Sequence, residues 1–353
     1  MISWLVVADD WSGAAELGAA AARRGRKTAL TRGAPPPPGT DVWVVDTATR
    51  DLPQEEARRR LDRLGPALKA LPAARAFKKI DSVLRGRPGM ESEWLASLLG
   101  LGAIHAVPGN PRRGRRVIGG ELWVDGVRLD RSAFQDDPHY PARTASVDAL
   151  WQQGGGTPGR AVLARDVDEA ALSGWAARTD SGVLAVGALD FFEACLGGPG
   201  QGHPAELPRV RSVWVACGSR AGWPERERHF LTRKWSVITS AAAFPSVEGC
   251  TLWGLGNEPL AAPQLALAAL ARRLAADAKK GGPGLWCLEG GATAAAVLEA
   301  CGWDSLELVG EVAPGTALLR PSGGNALVLV KPGSYPWPSS VREAWESAAR
   351  PLP

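Results

Sequence analysis

Short apolar runs alternate with longer Ala- and Leu-rich stretches from the start of the chain. Residues 3–8 and 41–46 are brief, apolar and partly β-branched, as in strands buried on both faces. Residues 13–24 are Ala-rich and helical by propensity. Leu61, Leu64, Leu68 and Leu71 recur at spacings of 3, 4 and 3 among Arg and Glu, which predicts an amphipathic helix over 52–71. Residues 75–80 read as a strand, 90–99 as a helix behind Pro88-Gly89, and 103–107 as a further strand. The rhythm breaks at 118–127, where Asp125-Gly126 marks the tight turn of a hairpin. It resumes over 160–164, 167–178 and 182–186.

A Gly- and Pro-rich segment at 197–204 carries almost no apolar residues and reads as a linker. Beyond it, strands are expected at 210–216, 235–239, 284–288, 305–312 and 326–330. Helices are expected at 224–232 and 259–280, and from Gly290-Gly291 through Cys301. Repeated β-α-β on both sides predicts two α/β domains, 1–204 and 205–353, each with a mostly parallel sheet covered by helices.

The composition suits this picture. The 353 residues are 45% hydrophobic and 22% charged, enough to fill packed cores. Net charge is only +4, too small an excess for a nucleic-acid coat or a membrane anchor. The five cysteines are an odd number with no C-x-x-C pair, which argues against a disulfide framework or a structural zinc site. Four scattered histidines lack metal spacing; only His139 sits beside other polar groups. Asp9 and Asp10 interrupt the first apolar run, so no signal peptide is expected. No apolar stretch reaches spanning length, and the expected compartment is cytoplasmic. The fifteen tryptophans are scattered, which favours core and surface packing over a base-stacking platform, and a Trp-rich surface would suit a homodimer.

Candidate chemistry gathers where strands end, the usual place for ligands in open α/β sheets. Asp9 and Asp10 follow the first strand. They suit hydroxyl orientation or general-base work, and equally an N-cap for the helix at Ser12-Gly13. Lys78-Lys79-Ile80-Asp81-Ser82-Val83-Leu84-Arg85-Gly86 delivers a charge cluster to a turn, with Arg85 offering a fork for a carboxylate or phosphate. The tract from Pro108 to Arg116 carries Asn110 and four arginines; it reads as an anion site at least as well as a nucleic-acid patch. Gly290-Gly291-Ala292-Thr293 lies between a strand and a helix, where backbone N–H groups can meet phosphate. Gly218-Ser219 and Lys331-Pro332-Gly333 also end strands. Walker A and G-x-G-x-x-G sequences are absent.

In this order the motifs resemble one family, the four-carbon acid sugar kinases. Val7 to Ala14 resembles its opening A-D-D-x-[ST]-G-A. Lys78 to Gly86 resembles its K-K-I-D-S-T-L-R-G signature, and Pro108 to Arg115 its P-x-x-P-x-x-G-R loop. Gly290 to Thr293 is similar to G-G-[DE]-T, and Lys331 to Gly333 to the closing K-x-G. Arg87 stands where the family usually has Asn, and Ala292 where it usually has an acid.

The resemblance implies ATP- and Mg2+-dependent phosphorylation of a terminal hydroxyl on threonate, erythronate or a 3-oxo-tetronate, in a cleft between two domains. Its partners are then a small sugar acid and a nucleotide, with neither nucleic acid nor membrane. It implies Asp10 or Asp81 as the catalytic base and Arg85, helped by Arg115, as the grip on the substrate carboxylate. Asp9, Lys79, Ser82 and Asn110 would surround the sugar acid. Ser219, Gly290, Gly291, Ala292, Thr293, Lys331 and Gly333 would surround the nucleotide. A non-catalytic relative that senses a sugar acid or nucleotide is the second reading.

Overall fold

The structure is a computed structural model that describes residues 2–137, 140–198, 200, 202, 204–218, 222–239, 249–256, 262–279, 281–331, 333 and 336–349. The chain divides into two compact units, Met1–Gln201 and Gly202–Pro353.

The first unit runs β1 (Ile2–Ala8), α1 (Trp11–Ala22), β2 (Thr28–Thr31), β3 (Val42–Asp46), α2 (Gln54–Ala70), β4 (Ala73–Lys79), α3 (Pro88–Leu99) and β5 (Ala103–Val107). After β5 come β6 (Arg115–Ile118), β7 (Glu121–Val124), β8 (Val127–Arg128), α4 (Val147–Gln153), β9 (Val162–Leu163), α5 (Glu169–Ala177), β10 (Val183–Gly187) and α6 (Leu189–Cys195). Its main sheet has the order β2-β3-β1-β4-β10-β5-β9, and every described pairing in it is parallel. β1 and β3 are almost wholly buried, which explains their continuous apolar runs: helices cover both faces.

The helices begin and end where local chemistry dictates. Asp10 caps α1 by accepting from the Gly13 amide at 3.0 Å. Pro88 opens α3, where a missing N–H costs nothing, and Gly100 closes it in the left-handed region at φ 69°. On α2 the buried face is Ala57, Leu61, Gly65 and Leu68. Leu64 and Leu71 are only half-buried, because Leu98 and Trp94 of α3 pack directly over Gly65.

The expected hairpin is a three-stranded antiparallel meander, β6-β7-β8. It has two tight turns, Gly119-Gly120 (φ 58° and 83°) and Asp125-Gly126 (φ 49° and 82°), both with the paired positive φ values that two-residue hairpins need. The strand over Arg115–Ile118 begins ahead of the expected start at 118, where the Arg-rich sequence hides the alternation.

The second unit runs β11 (Ser212–Cys217), α7 (Trp223–Thr232), β12 (Ser236–Ile238), β13 (Gly249–Gly254), α8 (Pro263–Ala278) and β14 (Leu285–Glu289). α9 (Gly291–Ala300), β15 (Ser305–Ala313), β16 (Thr316–Pro321), β17 (Leu327–Lys331) and α10 (Ser339–Ala348) complete it. Strand order within the unit is β12-β13-β11-β14-β17-β16-β15; β12 through β17 pair in parallel and β16 runs antiparallel to both neighbours. α10 lays Val341, Trp345 and Ala348 onto the core beside Trp337, Phe230 and Leu329.

Most of the tryptophans are buried and the rest are half-buried, so the notion of a Trp-rich surface is corrected: the indoles fill the cores. All five cysteines are free thiols. Among the described residues no helix is long and apolar enough to cross a membrane.

Candidate active site

In the first unit, β1 and β4 are parallel neighbours whose carboxyl ends release Asp9-Asp10 and Ile80-Asp81 side by side. A third segment joins them. The loop after β3 folds back, and the Thr49 and Arg50 amides donate to the Asp9 carbonyl at 3.0 and 3.2 Å. Arg50 then grips Asp9 through Nε and Nη2 at 2.9 and 2.8 Å, and reaches Asp10 through Nη1 at 2.8 Å. Arg50 is a residue the sequence reading missed. Burial works to raise the Asp9 carboxyl, but Arg50, Lys78 and Lys79 outweigh it and hold it below the usual carboxylate range.

Asp10 accepts from Ser12 Oγ as well as from Gly13 N and Arg50, so the N-cap reading is correct and leaves its other interactions in place. Asp81 is saturated: Oδ2 takes the Val83 amide at 3.1 Å, the Arg85 amide at 3.3 Å and Arg85 Nε at 3.1 Å, while Oδ1 takes Arg85 Nη2 at 2.9 Å. Burial pushes its pKa up, yet the Arg85 charge and hydrogen bonds, then Arg50 and Lys79, drive it far below the ordinary range.

Arg85 completes its fork on Asp137 at 3.1 Å and lies over the Phe134 ring at 5.4 Å. Nε, Nη1 and Nη2 each donate to a protein carboxylate, and in this arrangement Arg85 holds the 81–85 turn. Gly86 follows in the left-handed region at φ 85°. A Cβ there would stand 3.2 Å from Asp9 Oδ2 and 3.4 Å from Arg50 Cγ, so this position needs glycine on two counts.

The remaining residues expected at this site have local partners. Lys79 Nζ donates to the Ile80 carbonyl at 2.9 Å and lies 3.9 Å from Glu16. Ser82 accepts the Gly109 amide on its carbonyl at 3.0 Å. Asn110 is buried and fastens α6 by accepting the Asp190 amide at 3.0 Å. Arg115 turns back onto the Arg113 carbonyl. Arg112 pairs with Asp190 and Glu193, and Arg113 with Glu16 at 3.1 Å. Much of the charge in the arginine tract is thus spent inside the fold, on carboxylates too distant in sequence to be matched to it. Pro138 and His139 lie outside the described residues.

Asp46, at the carboxyl end of β3, is buried with Arg32 only at 3.5 Å, and burial lifts its pKa to about 6 against that cation. A raised folded pKa means stability is fully present below the unfolded value near 4 and is lost as pH rises through 6. We expect wild type to lose about 2 kcal/mol between pH 4 and pH 7 relative to Asp46→Asn, read in paired urea titrations across that range. Parallel curves for the two proteins would rule this out.

In the second unit three adjacent parallel strands end in register at Cys217, Glu289 and Lys331. They release Gly218, Gly290 and, two residues on, Gly333. Gly290 has φ 95°, and a Cβ on it would meet the Gly333 backbone at 3.9 Å. Gly218 donates to Thr293 Oγ1 at 3.2 Å, where a Cβ would stand 2.5 Å from that oxygen. α9 starts at Gly291 without a side-chain cap, so its first amides and partial positive charge stay available. Ala292 is exposed there. This is backbone suited to phosphate. Ser219 lies outside the described residues.

Lys331 has partners inside the fold. Its ammonium is fully buried, 3.0 Å from Glu289 Oε1 and 5.0 Å from the Trp337 ring centre. Glu289 also holds Arg226 Nε at 2.9 Å and accepts from Trp337 Nε1 at 2.9 Å. Lys331 thus serves an internal ion cluster beneath the strand ends. Among the described residues no trio of His, Cys, Asp or Glu side chains is grouped to hold a metal ion.

Comparison with known proteins finds a family profile matching part of each unit. A family profile described as "Sugar-binding N-terminal domain" matches residues 4–190, and one described as "Nucleotide-binding C-terminal domain" matches residues 257–335. A D-threonate kinase from Cupriavidus necator is 28% identical over 98% of both chains. A D-threonate kinase from Salmonella typhimurium is 33% identical over 48% of this chain and 41% of its own. A D-erythronate kinase from Heliobacterium modesticaldum is 32% identical over 42% of this chain and 35% of its own. Crystal structures from Salmonella typhimurium and Haemophilus influenzae superpose with TM-scores of 0.78 and 0.74, each at 18% identity, over at least 98% of both chains, and share the fold.

Proposed function

Because the chain belongs to the four-carbon acid sugar kinase family, we propose that it transfers the γ-phosphoryl group of ATP to the terminal hydroxyl of a sugar acid of the threonate, erythronate or 3-oxo-tetronate class. The observation that carries this reading is the Cupriavidus necator kinase, whose similarity runs through both units and nearly the full length of each chain.

The first unit binds the acid and the second the nucleotide. Phosphoryl transfer needs positioning and charge neutralisation far more than covalent chemistry. Asp10 orients the attacking hydroxyl and takes its proton. It is the more exposed of the two candidate carboxylates, and one of its donors is a serine hydroxyl that a substrate hydroxyl can replace. Asp81 and Arg85 hold the turn on which the acid rests, Arg50 fixes Asp9 and Asp10, and Lys79 adds positive charge beneath them.

Gly290, Gly291, Thr293 and Gly333 fit the nucleotide phosphates: the helix start is uncapped and the glycines leave its amides uncovered. Mg2+ bound to those phosphates would offset their charge. Turnover is tested by ADP release coupled to a panel of four-carbon acids with ATP and Mg2+. Release that depends on one of these acids is the expected result. Sugar-acid binding by calorimetry, with no heat from millimolar ATP and no turnover, would instead identify a non-catalytic sensor.

A further inference from the structure

Lys78 and Glu91 carry charges that no step of phosphoryl transfer calls on. Both are fully buried, and Lys78 Nζ lies 2.9 Å from Glu91 Oε2. A buried ion pair repays little of the cost of taking two charges out of water, and two apolar side chains of similar volume would pack as well. The further contacts of the pair show another use. Lys78 Nζ donates to the Lys79 carbonyl at 2.8 Å, at the carboxyl end of β4. Glu91, in the first turn of α3, accepts from Thr49 Oγ1 at 2.8 Å.

Thr47 and Thr49, in the loop after β3, are also fully buried, with their Oγ1 atoms 2.7 Å apart, and each hydroxyl has one proton to give. The Glu91 carboxylate is the strongest acceptor within reach of Thr49, so Thr49 donates to it and its own oxygen is left to accept from Thr47. Thr47 Oγ1 lies 3.0 Å from the Ala8 carbonyl at the end of β1. The network thus ties the ends of β1, β3 and β4 to the start of α3. Between the two threonines Ala48 has φ 47°, a left-handed conformation that a residue with a Cβ rarely adopts. Such a residue keeps that shape only where its surroundings hold it. Here the flanking hydroxyls hold it, together with Asp46, which accepts the Ala48 amide at 3.0 Å. The turn sends the chain back over β1, where the Thr49 and Arg50 amides reach the Asp9 carbonyl and the Arg50 guanidinium spans Asp9 and Asp10. The anchored hydroxyl and the clamp on the carboxylates are therefore adjacent residues.

We propose that Thr49, anchored by the buried Lys78–Glu91 pair, is a positioning residue for phosphoryl transfer: it fixes the turn that carries Arg50, and through Arg50 the place of the Asp10 carboxylate. The proposal rests on the sugar-acid kinase reading above. Without the anchor Arg50 and Asp10 drift together, and a displacement of about 1 Å at the group that takes the proton costs on the order of 10²-fold in rate.

The test compares wild type with Thr49→Val, Thr49→Ser and the double variant Lys78→Met/Glu91→Leu, using the best four-carbon acid from the panel. Valine keeps the shape of threonine and removes the hydroxyl; serine keeps the hydroxyl. Thr49→Val is expected to lower kcat by about 10- to 100-fold while KM moves less than about threefold. Thr49→Ser is expected to stay within about threefold of wild type in both. The double variant is expected to melt close to wild type and yet to lose kcat as Thr49→Val does. Should it melt early, the two Thr49 variants decide.

An unchanged kcat in Thr49→Val, or a loss that Thr49→Ser shares, overturns the proposal and leaves the kinase reading standing. Full activity in a folded double variant does the same. If wild type turns over none of the acids, the kinase reading fails by itself and hydrogen exchange decides the anchor. Exchange at the amides of residues 49 and 50 that is about tenfold faster or more in Thr49→Val alone, with β1 and β3 unchanged, upholds Thr49 as the residue that fixes Arg50 on Asp9 and Asp10. Equal exchange in wild type, Thr49→Val and Thr49→Ser ends the proposal.

Discussion

Asp10→Asn is expected to lower kcat for sugar-acid phosphorylation by about 10²- to 10⁴-fold, with little change in KM or in folding. The substitution isolates the charge. Asparagine caps helices as well as aspartate does, so the Gly13 amide keeps its acceptor and α1 keeps its start. Arg50 keeps both bonds to Asp9 and loses only the third carboxylate contact. What disappears is the group able to accept the proton of the attacking hydroxyl.

Asp81→Asn is the contrasting variant. Asp81 gathers two backbone amides and two edges of Arg85, so its neutralisation loosens the 81–85 turn and lowers stability and substrate affinity together. Matched single-turnover and steady-state rates for the two variants separate the roles. If Asp10→Asn stays within about threefold of wild type in kcat, the base is another group.

The buried strands were legible because a parallel strand covered on both faces leaves an unbroken apolar run, as in Val42-Trp43-Val44-Val45. β2, β13 and β16 were missed. β2 is only four residues long, and β16 pairs antiparallel with β15 and β17 across turns whose Gly and Pro read as loop. α10 was missed because its buried face is three residues, Val341, Trp345 and Ala348, behind a Pro-rich approach.

At the candidate site, sequence order located Asp9, Asp10, Asp81 and Arg85, since each lies in the segment released at a strand's carboxyl end. It could not locate Arg50. That residue acts only because the loop after β3 is tied back to Asp9 by Thr49 and by its own amide, and because Thr49 Oγ1 donates at 2.8 Å to Glu91, itself paired to Lys78 at 2.9 Å. Nor can charge counts reveal which arginine is already paired. Arg85 and Arg87 look alike in the chain, and only the positions of Asp81 and Asp137 tell them apart.

Glu289→Ala is expected to cost the second unit about 3–5 kcal/mol, because it removes the carboxylate that Arg226 and Lys331 share in a site with almost no solvent access, while Arg226 keeps Glu225 at 2.8 Å. For a unit of this size that corresponds to a fall of about 6–20 °C in its melting transition. Burial already pulls the Lys331 pKa down against the attraction of Glu289, so loss of the carboxylate leaves little to keep that ammonium charged.

The cluster differs from a surface ion pair in a testable way. Replacing all three charges together, with Arg226→Met, Glu289→Leu and Lys331→Met, should recover most of the lost stability, since buried ions repay little of their desolvation. The triple variant then separates two functions. The phosphate cradle is built from backbone at Gly290, Gly291 and Gly333, and Gly290 N donates to the Lys331 carbonyl at 2.9 Å, a bond that survives any side chain at 331. A refolded triple variant should therefore bind ATP as wild type does in calorimetry. Restored stability with lost ATP binding would mean that the Lys331 charge reaches the nucleotide after all, and a Glu289→Ala loss below about 1 kcal/mol would mean that the cluster is not what holds these strand ends together.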